Sequence, residues 1–276
     1  MLMNNTLELK EIQKAALDVL VELDSICREL HLNYSLTYGT LIGAIRHKGF
    51  IPWDDDIDII MPRNDYNKLR EWFKTGKKSH LKWCDRTTVK NYPYCISRVS
   101  NMDYKYTTTN ANQKRFDIGV FVDVYVLDNY CSNSKDALRL GKKIWLINRE
   151  FDLYLNPDKT SGTLKRIVRN VLSSILHVLH GNDWCKHVDI EIEDYIVRHT
   201  SSSDELVGVI SQYEWKEIMK KEWFTSYIDV PFEDNLFKVC SGWDKLLNSI
   251  YGDYMLLPPV ENRVPTHNYT LVKREN

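Results

Sequence analysis

Apolar residues recur at helical spacing over residues 7–31. Leu9, Ile12, Ala16, Val19, Leu20, Leu23, Ile26, Cys27 and Leu30 share one face, with charged residues between them. The pattern then shortens. Asn33 to Thr37 is strand-like and runs into Tyr38-Gly39-Thr40, after which Leu41 to Arg46 resumes a turn or two of helix. His47-Lys48-Gly49 reads as a turn. Asp56 to Met61 reads as a strand stopped by Pro62, and Asn64 is placed to cap a helix from Asp65 to Phe73. Two β-prone pieces follow, Ile96 to Val99 and Tyr104 to Thr108, then a long strand-like run from Gly119 to Asp128.

From Lys135 the periodicity turns helical, with helices predicted over 135–154, 163–180, 184–199 and 234–250. The segment from Tyr251 onward is proline-rich and irregular. The fold class expected is α+β. Residues 1–134 form a mixed sheet flanked by helices, and residues 135–276 form a mainly helical accessory lobe.

Length and composition narrow this picture only modestly. The 276 residues suffice for one large domain or a core with an accessory lobe. A net charge of −1 gives no reason to expect nucleic acid as a partner. Six cysteines without a C-x-x-C pair fit neither a zinc site nor a disulfide framework, so reduced, packed thiols are expected. The N-terminus lacks the apolar core of a signal peptide, and no stretch is long and apolar enough to span a bilayer. A cytoplasmic protein is therefore expected.

One feature interrupts the apolar pattern. Phe50-Ile51-Pro52-Trp53-Asp54-Asp55-Asp56-Ile57-Asp58-Ile59-Ile60 puts four carboxylates into five positions of a strand-like run. Burying an unpaired carboxylate costs several kcal/mol, and a cluster repels itself. Strand alternation places Asp56 and Asp58 on one face, with Asp54 joining them if the chain is extended there and Asp55 pointing the other way. Asp123, between Val122 and Val124, is a third acid in a central-looking strand.

Converging carboxylates suit Mg²⁺ or Mn²⁺. An EF-hand loop would need glycine and glutamate where Ile59 and Asp65 stand. A solvated turn, or ion pairs with Arg46, Lys48 and Arg63, are the remaining alternatives. Gly39 permits close backbone approach to a ligand, and the amides behind it, with Arg46, His47 and Lys48, suit a phosphate.

The run from Tyr38 to Ile59 closely resembles the signature of the LicD family. Tyr251-Gly252-Asp253-Tyr254-Met255, followed by Pro258-Pro259, Arg263 and His267, resembles that family's closing motif. The resemblance implies a nucleotidyltransferase-like fold of the polymerase-β type, with the closing motif packed back on the core. It also implies relatedness to the fukutin-related proteins. Gly39-Thr40, Asp56/Asp58 and Asp123 fill the superfamily's glycine–hydroxyl, D-x-D and third-acid positions, although 15 residues separate the pair from Asp56 and threonine replaces the usual serine.

The implied activity is transfer of phosphocholine from CDP-choline to a sugar hydroxyl of teichoic acid, lipopolysaccharide or a capsule precursor. Relatives use other CDP-activated alcohols, such as glycerol and ribitol. The expected cofactor is two Mg²⁺ (or Mn²⁺) ions held by Asp54, Asp56, Asp58 and Asp123, the last also accepting or orienting the acceptor's proton. Arg46, His47, Lys48 and Arg98 would meet diphosphate oxygens. Tyr38, Trp53 and Tyr254 are candidates for the quaternary ammonium, which aromatic faces hold well.

Finally, residues 164–180 place Leu164, Ile167, Val168, Val171, Leu172, Ile175, Leu176 and Leu179 on one helical face, with Lys165, Arg166 and Arg169 off it and no acids. Such a helix either packs in the core of the lobe or rests on the inner leaflet of a membrane. Acceptors in this family are often lipid-linked, which suits the second reading.

Overall fold

The computed structural model describes residues 6–90, 92–108, 116–156, 162–181, 183–209, 217–265 and 269–275. Helix α1 (Leu9–Glu29) opens with a capping box between Glu8 and Glu11 and buries Ile12, Ala15, Ala16, Val19, Leu20, Leu23, Ile26 and Cys27. Strand β1 (Ser35–Leu36) leads into α2 (Tyr38–Ile42), which continues as a π-helical turn over Gly43–His47. The helix thus begins three residues before the predicted Leu41.

Strand β2 (Asp58–Pro62) passes directly into α3 (Arg63–Phe73). Asn64 is inside the first turn of α3 and Pro62 occupies the cap position, because proline ends the strand and its extended ψ of 142° lets the helix start at once. Then come β3 (Leu81–Cys84), β4 (Ser97–Asn101), β5 (Tyr104–Thr108) and the ten-residue β6 (Val120–Asn129). β6 is buried on both faces because it lies inside the sheet and is covered on both sides.

The helices α4 (Ser134–Leu155), α5 (Thr163–His180) and α6 (Trp184–His199) fall where the periodicity placed them. After His199 the chain departs from the expected helical lobe. Strands β7 (Leu206–Val209) and β8 (Ile218–Lys220) join the main sheet. Strands β9 (Tyr227–Phe232) and β10 (Asn235–Cys240) form a hairpin, and α7 covers only Trp243–Tyr251. The helix predicted over 234–250 is therefore a strand followed by a shorter helix. The two-residue turn Glu233-Asp234, with Glu233 at φ 50°, closes the hairpin and turns Phe237, Val239 and Cys240 into the core. Strand β11 (Tyr269–Lys273) pairs with β5.

The main sheet runs β1-β2-β6-β4-β3, with β7 and β8 beyond the end of β4 on the same side of β6. β2 and β6 are parallel; the other pairs are antiparallel, so the sheet is mixed and the class is α+β. Its core is continuous with α1, the β9–β10 hairpin and α7, whereas α4 and α6 share a second core built on Leu140, Ile144, Phe151, Trp184 and Ile192. Arg86, after β3, ties the two together by pairing with Asp189 of α6 at 2.7 Å and Asn148 of α4 at 2.9 Å. All six cysteines are free thiols. Among the described residues no helix is long and apolar enough to cross a membrane.

Candidate active site

Register across three strands builds the site. Asp58 of β2 stands opposite Asp123 of β6, and Asp123 stands opposite Arg98 of β4. Residues directly paired across strands share a face, so these side chains form one row, Asp–Asp–Arg. Asp56 joins the row from the segment before β2, and carboxylate oxygens of Asp56, Asp58 and Asp123 lie within 4.8 Å of one another. Asp58 is buried. Burial, and then the charges of Asp56, Asp123 and Asp54, hold its carboxyl well above the ordinary range. A site that resists ionising its own acids is one that a cation would relieve.

Alternation fails just upstream. Asp55 does not turn away from its neighbours; Asp54, Asp55 and Asp56 bring carboxylate oxygens within 4.8 Å of each other. The chain is not yet a strand here, since a turn at Pro52-Trp53 carries the Asp54 amide to the Ile51 carbonyl at 2.9 Å. Gln13 of α1 pins this loop by donating to the Asp54 carbonyl at 2.8 Å. Gly39 makes room for it: a Cβ there would fall 2.6 Å from Asp54 Oδ2. Thr40 Oγ1 accepts the Asp58 amide at 2.9 Å, so its hydroxyl fixes the start of β2. The glycine–hydroxyl pair is thus brought to the acids.

Arg46 and Arg63, the cations offered as salt-bridge partners of the acids, are engaged elsewhere. Arg63 pairs with Asp128 at 2.6 Å. Arg46 Nη1 donates to the carbonyls of Tyr254 at 2.7 Å and Leu256 at 3.1 Å, clasping the C-terminal motif to the turn. Arg46 Nε donates to His47 Nε2 at 3.0 Å. Arg263 approaches closely enough to lower the Arg46 pKa after burial has done so, and burial with Arg46 lowers that of His47. Arg263 also lies over the Trp53 ring at 5.6 Å and is anchored by the Pro258 carbonyl at 2.9 Å. Arg46, His47, Arg263 and Trp53 therefore gather in one basic, aromatic patch. Lys48 is exposed; its carbonyl accepts the Glu233 amide, and Gly49 leaves room for the Glu233 carboxylate that receives the Phe50 amide.

Two expectations are corrected. Arg98 does not reach out for diphosphate oxygens. It is buried, its Nε donates to Asp123 Oδ1 at 2.6 Å, and its guanidinium lies between Phe121 and Tyr94 at 3.8 and 4.2 Å from the ring centres. An arginine opposite an acid on the next strand pairs with it. Tyr254 offers no open ring for an ammonium: it is packed in the core, and its hydroxyl donates to Asp244 at 2.6 Å. Burial and Asp244 push that hydroxyl up to about 12. His267 lies outside the described residues.

Tyr38 remains at the site and brings partners that the sequence did not announce. Its ring meets Tyr125 edge-on at 4.9 Å, and its hydroxyl donates to Glu217, a buried carboxylate just before β8. Among the described residues, Glu217 Oε2 is buried without a hydrogen-bond partner. Burial pushes the Glu217 carboxyl up to about 7, opposed by the Tyr38 hydrogen bond. Tyr251, at the end of α7, feels Asp58, Asp54, Glu217 and Asp56 together. Tyr38, Tyr125, Tyr251 and Glu217 thus stand beside the acid row. Tyr38 and Tyr251 lie inside the two motifs, whereas Tyr125 and Glu217 carried no local signal.

A family model described as LicD/FKTN/FKRP, nucleotidyltransferase domain, matches residues 31–137, which contain the acid row and the basic turn. The chain is 30% identical over 271 residues to lipopolysaccharide cholinephosphotransferase LicD of Haemophilus influenzae, covering 95% of this chain and 96% of that protein. It is 44% identical over 41 residues to an uncharacterized protein of Rickettsia prowazekii, 15% of each chain. Identity that runs nearly end to end, on both sides of the matched domain, makes this chain a member of the LicD family of phosphotransferases.

Proposed function

We propose that the protein transfers phosphocholine from CDP-choline to a sugar hydroxyl of a bacterial surface glycan, such as a lipopolysaccharide precursor, on a nucleotidyltransferase-like core. The observation that carries this reading is the Asp56, Asp58, Asp123 row, whose acids crowd one another in a buried strand face. An all-carboxylate donor set fits hard divalent cations, Mg²⁺ or Mn²⁺. Two acid groups share Asp56, which supports a pair of ions, one toward Asp54 and Asp55 and one toward Asp58 and Asp123. When bound, such ions supply charge neutralisation for the diphosphate and for the attacking and leaving oxygens.

The chain's own residues do the positioning. The acceptor oxygen bonds to the choline-bearing phosphorus, the bond from that phosphorus to the bridging oxygen breaks, CMP leaves, and the hydroxyl proton passes to a carboxylate of the row. Arg98 fixes the Asp123 carboxylate in place as a ligand. Arg46, His47 and Arg263 suit the CMP phosphate. Tyrosine faces with a carboxylate behind them favour a quaternary ammonium over the uncharged glycerol or ribitol.

The test is CMP release from CDP-choline, CDP-glycerol and CDP-ribitol with a lipooligosaccharide acceptor and Mg²⁺. CDP-choline is expected to turn over, and Asp58→Asn to abolish turnover while unfolding at higher urea than wild type in EDTA, because a repelling charge is gone. Equal use of CDP-glycerol would overturn the choline assignment; full activity of Asp58→Asn would overturn the site.

A further inference from the structure

Helix α5 is seated on the fold by its polar side. Ser173 is its buried residue, and the hydroxyl donates to the Tyr154 carbonyl at 3.2 Å. The His177 ring lies 3.9 Å from Tyr154, and the His180 ring stacks on Trp184 at 3.7 Å. Arg169 donates to the Asn156 carbonyl at 3.0 Å. At 100° per residue these four positions fall on one side of the helix. Leu176, at the margin, packs partly against the α4–α6 core.

The opposite side holds Leu164, Ile167, Val168, Val171, Leu172, Ile175, Val178 and Leu179, each between 44% and 84% exposed. A helix of a soluble fold turns its apolar stripe inward. Here the stripe is continuous from Leu164 to Leu179, about 22 Å long, and faces outward. So long an uncovered stripe marks a surface that meets another apolar phase.

Charge says which phase. From Thr163 to His180 there is no carboxylate, and Lys165 and Arg166 stand exposed in the first turn, whereas Arg169 is held by the fold beside Asp152 at 3.8 Å. Lys165 borders the apolar stripe, where its stem can lie along acyl chains with the ammonium among headgroups. A second copy packed stripe to stripe would offer Lys165 and Arg166 only another acid-free helix, whereas anionic lipid supplies a counter-charge. The helix does not qualify to cross a bilayer. We propose that α5 lies flat on an anionic lipid surface, apolar stripe down, with the α4–α6 layer above it. This holds whichever alcohol the active site transfers.

Flotation of the full chain with vesicles tests it, using phosphatidylcholine alone or with roughly 30% phosphatidylglycerol. Wild type is expected to float with the anionic vesicles at least tenfold more than with the neutral ones. Val171→Asp/Ile175→Asp and Lys165→Glu/Arg166→Glu are each expected to lose at least tenfold, with unchanged thermal melts and unchanged CMP release on a water-soluble acceptor. Wild type remaining at the bottom of the gradient with anionic vesicles would overturn the proposal, as would flotation indifferent to either double substitution. A dimer in sedimentation velocity that Val171→Asp/Ile175→Asp dissolves, without vesicle binding, would reassign the face to a second copy of this chain.

Discussion

Glu217→Gln should change how stability depends on pH, in a predictable window and direction. Glu217 is buried, takes one hydrogen bond from Tyr38, and has its second oxygen unpartnered among the described residues. Its carboxyl rises from an ordinary 4.5 to about 7, chiefly through burial. An acid whose folded-state pKa is raised binds more protons folded than unfolded between those two values. Stability from this group is therefore fully present below about pH 4.5 and declines as pH rises toward 7. At about 1.4 kcal/mol per pH unit the whole decline is about 3 kcal/mol, an order-of-magnitude figure for so buried a group. Glutamine cannot ionise, so the variant lacks this decline. The assay is urea unfolding in EDTA, from about pH 5 to about pH 8, on wild type and variant. The contribution of Asp58, whose carboxyl is also raised, is common to both proteins and cancels in the difference. The variant should gain on wild type by about 2–3 kcal/mol across this range, with no further gain above it. Parallel profiles would refute the reasoning, because they would mean that Glu217 is ionised alike in the folded and unfolded chain.

Two further substitutions probe the site's frame. Arg98→Met strips the guanidinium from Asp123 and leaves a buried charge opposite Asp58; urea unfolding should show a loss of about 3–5 kcal/mol, most of it regained in Arg98→Met/Asp123→Leu. Gly39→Ala puts a methyl 2.6 Å from Asp54 Oδ2 and must push that carboxylate aside, so calorimetric titration with Mn²⁺ should show weaker binding while stability holds, alanine being about 1 kcal/mol better than glycine inside a helix.

What the sequence could and could not disclose follows from the range of each signal. Asp56, Asp58 and Asp123 were legible because an acid among β-branched residues breaks a local pattern. Their convergence was a guess about strand order, and the register that sets Asp58 opposite Asp123 opposite Arg98 has no local signature. That is why Arg98 was read as a phosphate contact: its partner is on another strand. Asp55 was misread because period-two alternation was applied to a turn. The β9–β10 hairpin was missed because Glu233-Asp234 carries none of the usual glycine turn chemistry. Glu217 stands between Lys216 and Ile218, an ordinary setting for a surface acid, and only burial makes it unusual. Helix α5 is the sharpest case. Periodicity correctly gave its bounds and its apolar stripe, but periodicity encodes that two faces differ, never which of them meets the protein. That choice was made by Ser173, His177 and His180, each finding a partner on α4 or α6. A helix that satisfies its polar side within the fold has already used its attachment, and its apolar side is left to find a partner elsewhere.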